Sequence, residues 1–156
     1  MADFGAPISK EEADHLFGLP KDVVGWIQWF RRVDGYGDVT VELIAEDGTP
    51  MTVRGWSGRV GVDGLVRRYG FSLLYRNSVV IRRWDSKPGH LDPISGKRMA
   101  GAHKHYADER FGDSPASEVE DVRLNNAEGG LLDFLKECGV SVRDTQLQKR
   151  MDDFNG

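Results

Sequence analysis

Three of the four histidines of the chain, His90, His103 and His105, lie within sixteen positions of one another. An imidazole titrates near neutral pH, so two of them can serve as the base and the acid in cleaving an RNA phosphodiester. Lys and Arg side chains nearby can stabilise the charge that develops on the phosphate. This chemistry needs no metal or other cofactor. The sequence therefore indicates His103, His105 and His90 as the catalytic candidates of a ribonuclease-like site.

The His-Lys-His sequence at positions 103–105 limits which side chains can act together. If this segment is extended, its side chains alternate between the two faces of the strand. His103 and His105 then share one face, and Lys104 lies on the other. We therefore expect the two histidines to belong to one site.

The same histidines also fit a metal site. His103 and His105 are suitable ligands on one face, and His90 with a carboxylate such as Asp85 or Asp92 completes the coordination sphere. A divalent metal at His103, His105 and Asp85 is thus an alternative to metal-free catalysis. A third interpretation is that the histidines form the solvated surface of a glycine-rich loop. Metal-free chemistry is the expectation adopted here.

Positive charge is concentrated around the histidines. The chain has a net charge of −4, yet residues 67–110 hold ten Lys and Arg against four Asp and Glu, whereas 1–50 and 111–156 are acidic. A cationic segment suits the phosphates of a nucleic acid, RNA above all. The alternative is that these cations pair with the acidic ends of the same chain. The residues expected to bind nucleic acid are Arg82, Arg83, Trp84, Lys87, Lys97, Arg98 and Lys104.

Composition places the chain among ordinary globular proteins. Its 156 residues are 39% hydrophobic and 29% charged, which suits one hydrophobic core. Cys138 is the only cysteine, so it has no internal disulfide partner. No apolar run approaches the roughly 20 residues of a membrane span, and the first nine residues lack the features of a secretion signal. We therefore expect a cytoplasmic protein that does not bind membranes.

Residue patterning predicts an α+β fold with an antiparallel sheet of about five strands. Ser9 and Glu12 form a capping box for a short N-terminal helix over 9–17. Asn126 caps a C-terminal helix that ends at Gly139 and packs on one face of the sheet. Extended runs separated by turn residues predict strands at 23–33, 39–44, 51–56, 71–76 and 79–84.

Two further segments have weaker patterns. Residues 58–70 fit a short helix that Gly70 closes. Residues 143–156 have almost no apolar side chains. We therefore expect a single domain over 1–142 and a polar C-terminal tail over 143–156.

The large aromatic residues and the cysteine are expected mostly in the core. Trp26, Trp29 and Trp56 lie in strand-like surroundings, and Cys138 lies on the apolar stripe of the C-terminal helix. Trp84 ends a predicted strand between two charged residues, where it either packs in the core or stacks on a base.

Residues 75–106 carry a motif of a known family. A strand ends in Arg-Trp-Asp at 83–85, Lys-Pro-Gly-His follows at 87–90, and a loop leads to His-Lys-His at 103–105. In this order the motif resembles the small toxins of TumE-type bacterial toxin-antitoxin modules. The resemblance implies a compact α+β protein that arrests growth through contact with nucleic acid and is held in check by a partner antitoxin.

Three functions are compatible with these patterns. The first is a bacterial or phage-borne toxin-like protein that acts on nucleic acid, with RNA cleavage as its chemistry. The second is a non-enzymatic protein of a phage or mobile element that binds and inhibits a host or defence complex, for example a CRISPR-type complex. The third is nucleic-acid binding without turnover. Replacing His103 and His105 with Ala removes activity only in the first case.

Overall fold

The structure is a computed structural model. It describes residues 8–31, 36–60, 66–76, 78–108, 110–123 and 126–147. These residues form one sheet of nine strands and two α-helices. The fold is α+β with a mostly antiparallel open sheet, as predicted. The elements are α1 (Lys10–Gly18), β1 (Lys21–Val23), β2 (Trp29–Arg31), β3 (Gly37–Ala45), β4 (Pro50–Val60), β5 (Val66–Tyr75), β6 (Val79–Asp85), β7 (His103–Tyr106), β8 (Ala116–Glu118), α2 (Ala127–Glu137) and β9 (Val140–Ser141), followed by a 3₁₀ helix at Asp144–Gln146.

The strands from β3 to β8 form a meander in which each strand pairs antiparallel with the next along the chain. On the other side of β3, β1 pairs antiparallel with it, and β9 adds to β1 in parallel. The strand β2 also pairs with β3. The order of the sheet is therefore β8-β7-β6-β5-β4-β3-β1-β9.

The register divides the side chains of the meander between two faces, because directly opposed residues of antiparallel neighbours point to the same side. Phe71 and Trp84 are opposed across β5 and β6, and their rings lie 5.9 and 5.3 Å from that of Phe134 in α2. We call this side the helix face. Arg83 and His105, opposed across β6 and β7, lie on the other side, which we call the open face.

The main core lies between the helix face and the two helices. Tyr69 of β5 is fully buried beneath α2, where a Cβ on Gly130 would lie only 2.5 Å from its ring. Glycine at position 130 therefore lets the helix approach the sheet. Burial raises the pKa of Tyr69 to about 12, and its hydroxyl donates to the carbonyl of Arg123. Cys138 is also fully buried, as predicted.

Both helices begin where the sequence predicts. The Ser9 hydroxyl accepts from the Glu12 amide, and the Asn126 side chain accepts from the Gly129 amide. The buried ammonium of Lys21 then connects the ends of the two helices, because it donates to the carbonyls of Phe17, Leu19 and Cys138 at 2.9, 2.6 and 2.7 Å.

Four short strands raise the number from the expected five to nine among the described residues. The strand predicted over 23–33 is instead two strands, β1 and β2, with a bent segment between them in which Trp26 is 62% exposed. The prediction of Trp26 as a core residue is therefore wrong, whereas Trp29 is buried as predicted. Trp56, also predicted in the core, is only half-buried and lines a groove.

The helix predicted over 58–70 is also wrong where the structure describes the segment. Residues up to Val60 continue β4, and β5 begins at Val66. The pairing of Val60 with Val66 makes these two strands a long hairpin, and such pairing outweighs a local helical pattern. Residues 61–65 lie outside the described part.

Part of the predicted polar tail packs against the sheet. Gln146 is buried and its side-chain amide donates to the carbonyls of Val23 and Gly25. The ordered chain therefore extends at least to Leu147, and the rest of the tail, 148–156, lies outside the described residues. Neither of the described helices is long and apolar enough to cross a membrane.

Candidate functional site

Three imidazole rings come together on the open face: those of His90, His103 and His105. Whether they converge could not be decided from the sequence alone. Their centroids are 5.4 Å apart between His90 and His103, 4.4 Å between His90 and His105, and 4.7 Å between His103 and His105. One ring nitrogen of each lies within 4.8 Å of those of the other two. His103 and His105 are only 2% and 1% exposed, whereas His90 is half-buried. We call these three side chains the histidine cluster.

Strand β7 places two members of the cluster. His103 is opposed to Asp85 and His105 to Arg83 in β6, whereas Lys104 is opposed to Trp84 on the helix face. The prediction that an extended segment would put both histidines on one face and Lys104 on the other is confirmed. The alternation of a single strand therefore separates the imidazoles from the lysine between them.

The third member, His90, reaches the cluster from the loop at 86–102. The Met99 amide donates to the carbonyl of His90 at 2.6 Å, which closes the loop on itself. The buried Asp92 carboxylate accepts from the Ala116 amide of β8 at 3.3 Å, which ties the loop to the edge of the sheet. These contacts hold the His90 ring against the two rings of β7.

Each ring of the cluster uses one nitrogen to donate to a backbone carbonyl: Nε2 of His90 to Ser114 (2.6 Å), Nδ1 of His103 to Gly101 (3.1 Å) and Nδ1 of His105 to Asp113 (2.8 Å). A carbonyl oxygen only accepts, so the ring nitrogen that faces it carries a proton. In the neutral form, the lone pair of each ring is then on the other nitrogen. This assigns the lone pairs to Nδ1 of His90 and to Nε2 of His103 and His105.

The guanidinium of Arg83 lies beside the cluster. Its Nη2 is 3.1 Å from both ring nitrogens of His105, and its Nη1 is 3.4 Å from a carboxylate oxygen of Asp113. Its Nε is buried and has no hydrogen-bond partner in the described part of the chain. Burial, and then the Arg83 charge, lower the pKa of His105 to about 3. His105 is therefore neutral at physiological pH.

A groove of about 470 Å³ crosses the open face next to Arg83. Arg54 and Trp56 of β4 line it, together with Asp85. The Nζ of Lys87 lies 5.6 Å from the centroid of the Trp56 ring, within the range of a cation–π contact. The groove therefore combines cations with a half-buried aromatic side chain, although the carboxylate residues Asp38 and Asp85 also line it.

The expected nucleic-acid-binding residues separate into two groups. Arg83 and Lys87 lie at the groove or its margin, and Lys97 and Arg98 are exposed in the loop at 86–102. An Nη1 of Arg98 donates to the carbonyl of Gly89 at 2.7 Å, so part of its guanidinium stabilises the loop.

The other group, Arg82, Lys104 and Trp84, lies on the helix face. Arg82 forms an ion pair with Asp14 at 2.7 Å, and Lys104 forms two, with Asp121 at 2.8 Å and Glu137 at 2.7 Å. The partners of Arg82 and Lys104 belong to the acidic N- and C-terminal parts of the chain. For these two cations, the structure therefore agrees with the alternative that the positive segment pairs with the acidic ends. Trp84 is 3% exposed, so it is a core residue and does not stack on a base.

The two carboxylates that the sequence offers as metal ligands have other roles. Asp85 accepts from the Lys87 amide at 2.8 Å. Asp92 accepts from the amides of Ser95 and Ala116 and from the Ser95 hydroxyl. The group able to hold a metal among the described residues consists of the three histidines.

Sequence reasoning missed the residues of β4 that line the groove, Arg54 and Trp56. The alternation of polar and apolar residues along 51–56 was a usable signal, because it puts Arg54 and Trp56 on the same face. The carbonyls that orient the rings carry no signal of this kind, since any residue supplies a carbonyl.

The chain matches no protein-family model, and no curated protein or solved structure matches it either. The resemblance of residues 75–106 to TumE-type toxins is therefore a prediction that depends on the motif alone.

Proposed function

We propose that this protein is a small toxin-like enzyme that cleaves RNA, with the histidine cluster as its reaction centre. The observation that carries the proposal is the convergence of three imidazoles beside Arg83, whose buried Nε lacks an acceptor among the described residues. The Arg83 side chain as a whole is 34% exposed, so a phosphate oxygen can reach its guanidinium, whose planar shape is well suited to phosphate. Imidazoles next to a phosphate-binding cation are the groups that this reaction needs.

The proposed reaction is a transesterification within the RNA. The 2′-hydroxyl oxygen attacks phosphorus, the P–O5′ bond breaks, and the proton lost by the hydroxyl is returned to O5′. The products are a 2′,3′-cyclic phosphate and a 5′-hydroxyl. His90 is the most accessible ring and exchanges protons with the substrate, His103 and His105 form the floor of the site, and Arg83 stabilises the charge on the phosphate.

The groove on the open face provides a path for a single strand of RNA. Arg54 and Lys87 supply positive charge along it, and Trp56 offers a ring on which a base can stack. Phe30 is opposed to Asp38 in the neighbouring strand, which puts its 59% exposed side chain on the same face. Recognition by stacking and phosphate contacts favours single-stranded over duplex RNA.

The proposal is tested by inducing the protein in bacteria and following growth and the integrity of total RNA. We expect the wild type to arrest growth and degrade RNA, and His90→Ala to do neither. The control is His15→Ala, which removes the exposed histidine on α1 outside the cluster. Equal effects of the wild type and His90→Ala would refute the catalytic role of the cluster.

A second candidate is a non-enzymatic role in binding and blocking another protein. It is favoured by an apolar patch near β1, where Val24, Trp26 and Leu147 are 54%, 62% and 43% exposed. An exposed tryptophan among aliphatic side chains is typical of the centre of a protein interface. An antitoxin would bind the same patch under the first proposal. If His90→Ala still arrests growth and Trp26→Ser does not, the second candidate is correct.

A further inference from the structure

We propose that the histidine cluster is a binding site for one divalent transition-metal ion of the zinc class, with Nδ1 of His90 and Nε2 of His103 and His105 as its three protein ligands. The ligand set differs from that suggested by the sequence, since a third histidine replaces Asp85. The role of the ion in RNA cleavage rests on the function proposed above, whereas its binding does not.

The hydrogen bonds of the cluster carry this inference. All three rings donate one N–H to a backbone carbonyl, so all three remaining nitrogens are acceptors in the neutral form. This is how metal-binding histidines are held in proteins: the second ring nitrogen donates to a carbonyl or carboxylate, which fixes the tautomer and the orientation of the ring. Three independent carbonyls do so here.

The surroundings of these nitrogens point the same way. His103 and His105 are only 2% and 1% exposed, so their rings are held inside the protein. Among the described residues, Arg83 Nη2 lies 3.1 Å from the His105 acceptor. A cation shared by the three lone pairs would satisfy them together.

The size of the cluster fits a small ion after a modest closure. Zn–N bonds of about 2.0 to 2.1 Å in a tetrahedral site put ligand nitrogens about 3.3 Å apart. One ring nitrogen of each histidine lies within 4.8 Å of those of the other two, so rings that bind through these atoms must approach by up to about 1.5 Å. The half-buried His90, which is on a loop, is the ring best able to move toward β7. Arg83 Nη2 must also leave His105 Nε2 and turn toward the groove.

The ligand chemistry selects the class of ion. Imidazole nitrogen suits zinc, copper, iron and nickel, whereas magnesium and calcium require oxygen ligands, and no carboxylate belongs to the group. Three neutral ligands leave the ion its full positive charge and an open coordination position. Together with Arg83, such a centre would attract a phosphate oxygen. Because the ion would occupy the Nδ1 lone pair of His90, Lewis-acid stabilisation of the phosphate would replace proton exchange by that ring.

The test is a titration of metal-depleted protein with zinc alone, by calorimetry, with bound metal counted after dialysis. We expect one zinc ion per chain for the wild type and for His15→Ala, and a loss of affinity of at least about 100-fold for His90→Ala and His103→Gln. Zinc should raise the melting temperature of the wild type but not of His90→Ala. Because His90 is on a loop, its variant should fold, and its melting temperature without metal checks this.

Binding that is absent in the wild type, or unaffected in His90→Ala, would overturn the metal site. The two proposals fail separately. If RNA is cleaved at an unchanged rate after chelation, the enzyme stands and the role of the ion in cleavage falls, whereas the site itself is decided by the titration. If zinc binds at the cluster and neither the loaded nor the metal-depleted protein cleaves RNA, the site stands and the proposed reaction falls.

Discussion

Arg82 and Arg83 are neighbours in sequence and lie on opposite faces of the sheet. On the helix face, Arg82 pairs with Asp14 and lies over the Phe17 ring at 4.2 Å. On the open face, Arg83 contacts His105 and leaves a buried N–H without an acceptor among the described residues. One arginine is satisfied by the fold, and the other has unused binding capacity.

The same contrast holds for the two faces as a whole. The helix face satisfies its cations within the chain, as the two ion pairs of Lys104 illustrate. The open face has Arg54 and Lys87 beside a groove and three imidazoles with available lone pairs. A cluster of positive charge in a sequence is therefore a guide to ligand binding only in part. The cations that remain candidates are those that the strand register puts on the uncovered side of the sheet.

The largest effect is expected for the replacement of Arg83, with its neighbour Arg82 as the control. Arg83→Gln should reduce the rate of RNA cleavage by about 100-fold or more, because it removes the cation that stabilises the phosphate. Arg82→Gln should change that rate by less than about 2-fold and lower the free energy of unfolding by about 0.5 to 1 kcal/mol through the loss of its partly exposed ion pair. The rates are measured on the same labelled RNA, and equal losses for the two variants would abolish the distinction between the faces.

Two glycines give a matched test of packing. Gly130→Ala puts a Cβ 2.5 Å from the Tyr69 ring on the helix face and should lower the free energy of unfolding by about 2 kcal/mol, although Ala is the better helix former. Gly70→Ala meets the Trp56 indole at 2.7 Å on the open face, where the ring can move outward. It should cost less than about 1 kcal/mol and weaken RNA binding. Denaturant unfolding compares the two, and a larger cost at Gly70 would contradict the assignment of the faces.

Trp56 should be the main stacking residue. Trp56→Ala is expected to weaken the binding of single-stranded RNA by about 10-fold, as the loss of one base stack implies. Trp26→Ala is the control, because it removes an exposed tryptophan from outside the groove. Fluorescence anisotropy with a short labelled RNA gives both affinities. A greater loss for Trp26→Ala would move the binding surface to the apolar patch.

The cations of the groove should contribute to the salt dependence of RNA binding. Each phosphate contact on a single strand contributes about 0.7 to the slope of log affinity against log salt concentration. Lys87→Ala and Arg54→Ala should each reduce the slope by about that amount, and Lys136→Ala, on the exposed side of α2, should not. An unchanged slope in both groove variants would show that RNA does not pass there.

The smallest effect is expected for Cys138, whose buried thiol lies at the C-terminal end of α2. Cys138 is fully buried, and burial raises its pKa to about 12, so the thiolate is almost absent at neutral pH. A thiol reagent should react with it only after denaturant is added. Rapid labelling of the folded protein would show that the core under α2 opens readily.

The sequence predicts the α+β class, both helix starts and the alternation of His103, Lys104 and His105, because each depends on local chemistry within a few residues. The short strands β8 and β9 have two or three residues each and depend on pairing with distant segments, so no local pattern reveals them. The pattern over 23–33 covers β2 and the end of β1 but does not reveal the bend between them. The exposure of Trp26 has the same origin, since it follows from the bend between two such strands.

The candidate site could also be predicted only in part from the sequence. That His103 and His105 share a face follows from the sequence, but the arrival of His90 depends on the fold of the loop at 86–102 and on its link from Asp92 to Ala116. That Arg82 and Arg83 lie on opposite faces follows from the alternation of a predicted strand, but which of the two faces is covered depends on the position of α1. The residue types indicated the chemistry, and the long-range contacts determine which of them can take part.

The most direct test of the central claim is cleavage of a labelled single-stranded RNA by purified protein, in parallel with the same RNA carrying 2′-deoxy sugars. The account predicts that the wild type and His15→Ala cleave the RNA to 2′,3′-cyclic phosphate ends, that the deoxy strand stays intact, and that His90→Ala is inactive. Cleavage by His90→Ala at the rate of the wild type, or no cleavage by any of the proteins, would contradict it.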